Sequence, residues 1–410
     1  MCGVLGVYSP KKSVEKELFL HALNFLTPRG PDDQGIAVEL NGSLLLGHRR
    51  LSIIDLSASG KQPMTSANKR WVIVYNGEIY NYKELRSFLR KNAGYPFKST
   101  SDTEVILAAV QEWGVEKTLA RLIGMWAFAL WDREKKELWL VRDRVGIKPL
   151  YYGFLPEIGF FFSSELKIIK AFNNKPPVDQ SSLELYRYFS YIPSPYSIYQ
   201  NVYKLLPAHF LKINLNNLTF NTSLEQKQYW SLKSLKYEVK ESSLSEEEAL
   251  LKLEEILLDC IKLRLRADVR VGAFLSGGID SSLVTALAQK VSSSPIKTFT
   301  IGFGVPDYDE APWAKKVASY LGCEHKERYL EEKEVIKWVR EMPLVYDEPF
   351  GDSSQIPTYL ICRECSKELK VVLSGDGGDE LFAGYTRYVL LNNLRKFPYF
   401  FRMLLAKGSY

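Results

Sequence analysis

Apolar positions in the first half of the chain fall into short continuous or alternating runs. CGVLGVY (2–8), GIAVEL (35–40), SLLLGH (43–48), WVIVYNGEIYN (71–81), WAFALWD (126–132), ELWLVRD (137–143), PLYYG (149–153) and GFFFSS (159–164) each predict a strand. Asn41-Gly42 between two of these runs predicts a two-residue hairpin turn. Helical periodicity is confined to VEKELFLHALNFL (14–26), YKELRSFLRK (82–91) and TSDTEVILAAVQEWG (100–114), the last capped by Ser101 or Asp102. Hairpins with a few helices predict antiparallel sheets covered by helices. From Asn214 to Glu248 the chain turns polar and rich in Ser and Asn. Beyond it helix and strand alternate: a helix over 247–267, a strand in VRVGAFLS (269–276), a helix in SSLVTALAQKV (281–291), a strand in KTFTIGF (297–303), a helix in EAPWAKKVASYLG (310–322) and a strand in KVVLSG (370–375). That order predicts a parallel sheet with crossover helices. We therefore expect a first domain at 1–215, a linker at 216–245 and a second domain at 246–410.

A length of 410 residues agrees with two domains, and 46% hydrophobic with 25% charged residues is an ordinary globular balance. The net charge of +6 is spread along the chain without a long basic run, so no nucleic-acid surface is expected. No apolar stretch reaches the roughly 18–20 residues of a membrane span, and no secretory leader is visible. Five cysteines do not make a disulfide framework. Cys362 and Cys365 lack two further ligands at zinc spacing, and they fit successive turns of a helix in SSQIPTYLICRECSKEL. These features predict a cytoplasmic protein.

Cys2 stands directly behind the initiator methionine. Removal of the methionine leaves it with a thiol and a free α-amine, which titrate near about 8.5 and about 7.7–8. A nucleophile beside a base is the arrangement of N-terminal nucleophile enzymes. The other reading is a small apolar residue opening a buried strand.

In the second half, strand VRVGAFL runs into Ser276-Gly277-Gly278-Ile279-Asp280-Ser281-Ser282 and then a helix. Glycines at such a turn let backbone N–H groups converge on an anion, and the helix N-terminus favours negative charge there. Asp280 adds a carboxylate suited to magnesium. No lysine stands where a Walker A motif requires one. A second block, Leu373 to Tyr385 (LSGDGGDELFAGY), also follows a strand and concentrates glycines beside acids, and DEPFGDSS (347–354) lies between the two.

SGGIDSS resembles the pyrophosphate loop of the N-type ATP pyrophosphatases. With the later blocks and Cys2, nearly the whole chain, Cys2 to about Tyr388, resembles glutamine-hydrolysing asparagine synthetase of the bacterial type. The resemblance implies an α+β N-terminal nucleophile (Ntn) glutaminase domain followed by an α/β adenine-nucleotide domain of the ATP pyrophosphatase kind. It implies ATP and Mg2+, with glutamine and aspartate as the other small-molecule substrates. Cys2 becomes the glutaminase nucleophile. Arg50, in HRRLSIIDL, clamps the glutamine α-carboxylate; Asn76 and Gly77 form the oxyanion hole; Glu78 and Asp102 receive the α-amine. An N-cap is the alternative role for Asp102. In the other half, Ser276, Gly277, Gly278, Asp280, Ser281 and Ser282 cradle pyrophosphate. Asp280 and Asp379 hold magnesium, Leu275, Ile301, Ser374 and Gly375 contact adenosine, and Glu380 positions the acceptor or adenylate.

The same resemblance implies further helices with a lysine-bearing segment, and the chain ends at FPYFFRMLLAKGSY without them. The expectation is a truncated or split product whose apolar, basic tail lacks its packing partners. A homodimer and a complementing C-terminal fragment are both open as partners. Two rival functions also stand at this point: an amidotransferase for another carboxylate, and a remnant with partial activity.

Overall fold

The computed structural model describes residues 1–10, 13–155, 158–172, 175–238, 244–305 and 309–398. The tail read above as unpartnered helix falls almost entirely outside the described residues. The chain divides into two compact units. The first holds Met1–Leu251, Arg266–Val269 and Ile336–Ile356, and the second holds Lys252–Leu265, Arg270–Val335 and the residues from Pro357 on.

In the first unit, β1 (Gly3–Tyr8), β2 (Asp33–Glu39), β3 (Leu44–Arg50), β4 (Met64–Thr65), β5 (Trp71–Ile79), β6 (Gly124–Asp132), β7 (Glu137–Arg142), β8 (Tyr151–Leu155), β9 (Gly159–Ser163), β10 (Val202–Lys204), β11 (His209–Asn214) and β12 (Lys227–Gln228) build two sheets. One has the order β10-β8-β9-β1-β3-β2 and the other β12-β11-β7-β6-β5-β4. Every pairing within them is antiparallel. Their facing sides share one core, in which Val4, Tyr8, Leu44 and Leu46 meet Val72, Val74, Ala127, Ala129, Trp131 and Leu140.

Both outer faces are covered as well. Leu5 and Val7 of β1 pack with Phe19 and Leu23 of α1 (Lys16–Asn24). Ile73, Tyr75, Phe128 and Leu130 pack under α2 (Tyr82–Ala93), α3 (Asp102–Trp113) and α4 (Val115–Arg121). Burial on both sides explains why these strands read as unbroken apolar runs rather than strict alternation. Two further helices, α5 (Gln180–Phe189) and α6 (Leu232–Glu238), follow.

The β2–β3 connection is longer than Asn41-Gly42 predicts. Glu39 pairs with Leu44, so four residues turn the chain. Leu40, Asn41 and Gly42 sit at φ of 49°, 52° and 91°, and three successive left-handed residues carry the reversal.

The second unit contains a parallel sheet of order β15-β14-β13-β16. From here on the chain runs α7 (Glu246–Arg264), β13 (Val271–Phe274), α8 (Ile279–Val291), β14 (Lys297–Gly302), α9 (Ala311–Leu321), β15 (Glu324–Tyr329), α10 (Glu332–Val345), α11 (Gln355–Cys365), β16 (Val371–Leu373), α12 (Gly378–Phe382) and α13 (Thr386–Arg395), with most of α10 belonging to the first unit. Leu275 packs with Ala314 and Ala318 of α9, while Phe299 packs with Cys365 of α11. The chain leaves β13 toward β14 on one side, and β16 returns on the other. That reversal makes a crevice at the strand ends, where open α/β sheets bind ligands.

The segment 336–356 belongs to the first unit despite its place in the sequence. Asp347 accepts the Leu166 N–H at 2.5 Å, and Glu348 accepts the Ile198 N–H at 2.8 Å and pairs with Lys204 at 2.6 Å. DEPFGDSS is therefore anchored on the antiparallel sandwich. Among the described residues, no helix is long and apolar enough to cross a membrane, and no group of three or more His, Cys, Asp or Glu could hold a metal.

Candidate active sites

Cys2 lies at the mouth of β1, beside the end of β3. Its Sγ accepts the Leu51 N–H at 3.4 Å, and the thiol reaches the Leu51 carbonyl at 3.7 Å. The Cys2 carbonyl accepts the Arg29 Nε–H at 2.9 Å, and Arg29 pairs with Glu165 at 2.9 Å. Burial pushes the α-amine of Met1 down to about 5, against an opposing pull from Cys2. That amine is therefore unprotonated at neutral pH.

Asn76, Gly77 and Glu78 lie in β5, in register with Ala127, Trp126 and Met125 of β6. The Asn76 side chain is buried, and neither its amide nitrogen nor its oxygen has a partner. Buried polar groups are rarely left unpaired without a functional reason. Burial pushes the Glu78 carboxyl up to about 7; the charge on Asp102 pushes the same way, while Lys148 and the chain's amine oppose it.

Asp102 opens α3, but Ser101 is the cap, its side chain accepting the Thr103 N–H at 3.1 Å. The Asp102 carboxylate instead turns into the core, where it accepts the Tyr75 hydroxyl at 2.8 Å and the Ile79 N–H at 2.9 Å. Burial raises its proton affinity, and those donors hold it back.

The structure thus gathers Cys2, Asn76, Glu78 and Asp102 around β1 and β5. The Arg50 guanidinium is differently engaged. It donates to the carbonyls of Ser57 at 3.0 Å, Ile54 at 3.3 Å and Asp55, and it abuts Gly60. Arg29, Tyr75 and Lys148 were not singled out by the sequence reading. Arg29 and Lys148 sit in loops whose sequences, TPRGPDDQG and DRVGIKPL, carry no motif that marks a buried cation.

In the second unit the Ser276–Ser282 loop joins β13 to α8. Gly277 adopts φ +85°, and a Cβ there would lie 2.7 Å from the Trp313 Cβ and 2.8 Å from the Ala314 nitrogen. The loop is laced by serines: Ser276 N–H donates to Ser281 Oγ at 3.2 Å, the two hydroxyls lie 2.9 Å apart, and Gly278 N–H donates to Ser276 Oγ at 3.2 Å. Ser282 Oγ is buried without a partner.

The loop after β16 packs against this one. A Cβ on Gly378 would meet the Asp280 carboxylate at 2.5 Å, and one on Gly375 the Ser281 nitrogen at 2.8 Å. Neither Asp280 nor Asp379 accepts a hydrogen bond through its carboxylate among the described residues. Leu275 and Ile301 are buried at the strand ends, with the Leu275 carbonyl taking the Thr300 hydroxyl. Ser374 Oγ donates to Asp376 at 2.9 Å, and exposed Glu380 accepts the Tyr385 hydroxyl at 2.8 Å.

Residues 1–230 match the family model of the glutamine amidotransferase domain, and residues 252–408 match that of asparagine synthase. Glutamine-hydrolysing asparagine synthetase 2 of Methanocaldococcus jannaschii is 38% identical, over 99% of this chain and 80% of its own. Glutamine-hydrolysing asparagine synthetase 1 of Bacillus subtilis is 34% identical, over 95% of this chain and 59% of its own. The chain thus spans under two thirds of the Bacillus protein. Among solved structures, the glutamine PRPP amidotransferase of B. subtilis overlaps with a TM-score of 0.43 at 15% identity, over 80% of this chain and 81% of its own.

Proposed function

The chain belongs to the glutamine-hydrolysing asparagine synthetase family, and on that premise we propose that it is an ATP-dependent ligase that makes L-asparagine. Glutamine is the nitrogen donor, and ATP, L-aspartate, L-glutamine and water become AMP, diphosphate, L-asparagine and L-glutamate. One observation carries the reading most directly: the buried Asn76 amide, unpaired on both atoms, on the strand beside Gly77 and Glu78. An amide held dry and unpaired is prepared to meet a second amide and then an oxyanion.

Removal of Met1 hands the α-amine to Cys2, where burial favours its unprotonated, proton-accepting form. The thiol yields its proton to that amine, and sulfur attacks the glutamine carboxamide carbon. The developing oxyanion is met by the Asn76 amide and the Gly77 N–H. Ammonia leaves with the returned proton, and water then cleaves the thioester to free glutamate. Glu78 and Asp102 receive the glutamine α-ammonium. Arg50 serves its α-carboxylate with the N–H groups that its loop carbonyls leave unused.

In the second unit Ser276 to Ser282 would cradle pyrophosphate, and Leu275, Ile301, Ser374 and Gly375 would border adenosine. The aspartate side-chain carboxylate attacks the α-phosphorus and diphosphate leaves; ammonia then attacks the acyl carbon and AMP leaves. Asp280 and Asp379, two carboxylates without protein donors, would hold a magnesium ion, which would supply positive charge to offset the phosphates. Glu380 lies on the helix that follows and would position the acceptor. Five cysteines, all free, support a reducing, cytoplasmic setting.

The test is Cys2→Ala. Glutamate release should vanish while aspartate-dependent AMP formation continues, since the two reactions use different units. Parental glutamate release by Cys2→Ala would end the nucleophile assignment, and AMP formation that never depends on aspartate would end the synthetase assignment.

A further inference from the structure

Cys2 stands just outside the ladder that orders the rest of its strand. The pairing of β1 with β3 begins at Gly3, opposite Arg49, and the pairing with β9 begins at Leu5, opposite Ser163. The backbone of the nucleophile is therefore placed by something other than sheet hydrogen bonds. Its carbonyl accepts the Arg29 Nε–H at 2.9 Å. Removal of Met1 takes away the 3.6 Å contact of Arg29 Nη2 with the Met1 sulfur, and the bond to the Cys2 carbonyl uses a different nitrogen.

Arg29 is itself held. Its side chain is 9% exposed, and among the described residues Glu165 is the carboxylate that pairs with it, Oε1 accepting from Nη1 at 2.9 Å. The second oxygen of Glu165 lies 3.0 Å from the Lys167 ammonium. Lys167 donates to the Val345 carbonyl at 3.2 Å and lies 3.9 Å from the Asp347 carboxylate. The other Asp347 oxygen accepts the Leu166 N–H at 2.5 Å, which fixes the backbone between Glu165 and Lys167. The links run without a gap from the nucleophile to residues 345–347, all within the first unit.

The turn that carries Glu165 is docked on β1 by a second route. Fully buried Ser164 donates its N–H to the Val4 carbonyl at 3.0 Å, and its hydroxyl accepts the Val4 N–H at 3.1 Å. Ser163 Oγ accepts the Glu165 N–H at 3.3 Å. A planar guanidinium held on a carboxylate by one nitrogen and on a carbonyl by another fixes the direction between them.

We propose that Glu165 is a positioning residue for the Cys2 nucleophile: through Arg29 it sets the backbone of residue 2, and Lys167 and Asp347 hold Glu165 in the orientation that this requires. The proposal rests on the glutaminase reading given above. It adds a support drawn from residues 345–347, beyond the stretch 1–230 that matches the amidotransferase family. Attack by sulfur depends on where residue 2 stands, whereas on that reading glutamine is held by Arg50, Asn76, Glu78 and Asp102. Loss of the support should therefore fall on the chemical step.

The experiment measures steady-state glutamate release from glutamine by the full chain for the parent, Glu165→Gln, Lys167→Met and the double variant, with a thermal melt of each. A misplacement of about 1 Å costs up to about 100-fold in rate. Glu165→Gln gives up the charge, so kcat should fall roughly 10–100-fold while the KM for glutamine stays within about threefold of the parent's. Lys167→Met should lower kcat in the same way by a smaller factor. The double variant should be slower than Glu165→Gln by no more than about twofold, because residues that act through one chain of contacts are not additive. Single factors that multiply in the double variant overturn the proposal, as does a rise in KM with kcat kept, or parental kcat in folded Glu165→Gln. A loss of rate that only tracks the unfolded fraction in the melts marks a purely structural pair and overturns it too. Should Glu165→Gln not fold, Lys167→Met decides: lowered kcat at unchanged KM upholds the proposal, and parental kinetics overturn it. A parent that releases no glutamate overturns the glutaminase reading, and this proposal with it.

Discussion

Tyr75→Phe isolates a single hydrogen bond in the thiol site. The Tyr75 ring is buried in the core beneath α2 and α3, and phenylalanine keeps it there. Only the hydroxyl is lost, and with it the 2.8 Å bond to the Asp102 carboxylate. A hydrogen bond to a charged acceptor contributes about 1.5–3 kcal/mol. Asp102 keeps the Ile79 N–H at 2.9 Å, so the loss should fall near the lower end, about 1.5 kcal/mol. In a unit of this size about 1 kcal/mol moves the melting temperature by about 2–4 °C, which predicts a drop of about 3–6 °C. The pH dependence follows from linkage. Burial raises the Asp102 carboxyl above its ordinary range, so the folded state binds that proton more tightly than the unfolded chain. Its contribution to stability is therefore present at low pH and falls as pH rises through its titration. Removing a donor that favours the carboxylate steepens that fall. The melting deficit of Tyr75→Phe should accordingly be larger at pH 8 than at pH 5, and the acid limb of glutamate release should move upward. Thermal scans at both pH values, with kcat/KM for glutamine against pH, read both effects. A variant that melts within about 1 °C of the parent at pH 8, with superimposable acid limbs, would refute the role given to this bond.

In the second unit, Asp280→Ala should weaken magnesium-dependent ATP binding, measured by calorimetry, and leave glutamate release largely intact; unchanged ATP affinity would leave the Ser276–Ser282 loop as a turn only. Gly277→Ala must place a side chain at φ +85° and within 2.8 Å of two neighbouring atoms, a strain of about 1–3 kcal/mol before any clash. Gly278→Ala needs no left-handed backbone, its φ being −70°, and meets only Ser276 Oγ at 3.3 Å. Limited proteolysis should therefore find Gly277→Ala much more readily cleaved in the second unit than Gly278→Ala, and equal resistance would refute the geometric account.

The elements that were legible in the sequence are those whose burial is recorded locally. The β1, β5, β6 and β7 runs are apolar on both faces because both faces are covered, and 4–8-residue apolar runs betray that directly. The β15 segment, EHKERY, was not legible, because an edge strand tolerates the charges that usually argue against a strand. The domain boundary was only partly legible. Asp347 and Glu348 bind partners 181 and 150 residues away, and no change of composition announces such a contact. The candidate sites divide in the same way. Cys2, Asn76, Gly77, Glu78, Asp102 and the SGGIDSS block sit in short contiguous patterns, and a resemblance can carry a pattern.

Lys148, Tyr75 and Arg29 belong to no such pattern. What distinguishes Lys148 is that a side chain on a residue only 5% exposed makes no hydrogen bond or ion pair among the described residues, while Asp143 ties its loop to Trp126 of β6. Arg29 is spent on Glu165, and the Asp143 oxygens are spent on four backbone N–H groups. Assigning a buried charge is thus a matter of elimination across the whole site, and each elimination is a tertiary contact. Residues that hold substrate atoms can be read from motifs, whereas residues that set the charge state of those residues must be read from what surrounds them.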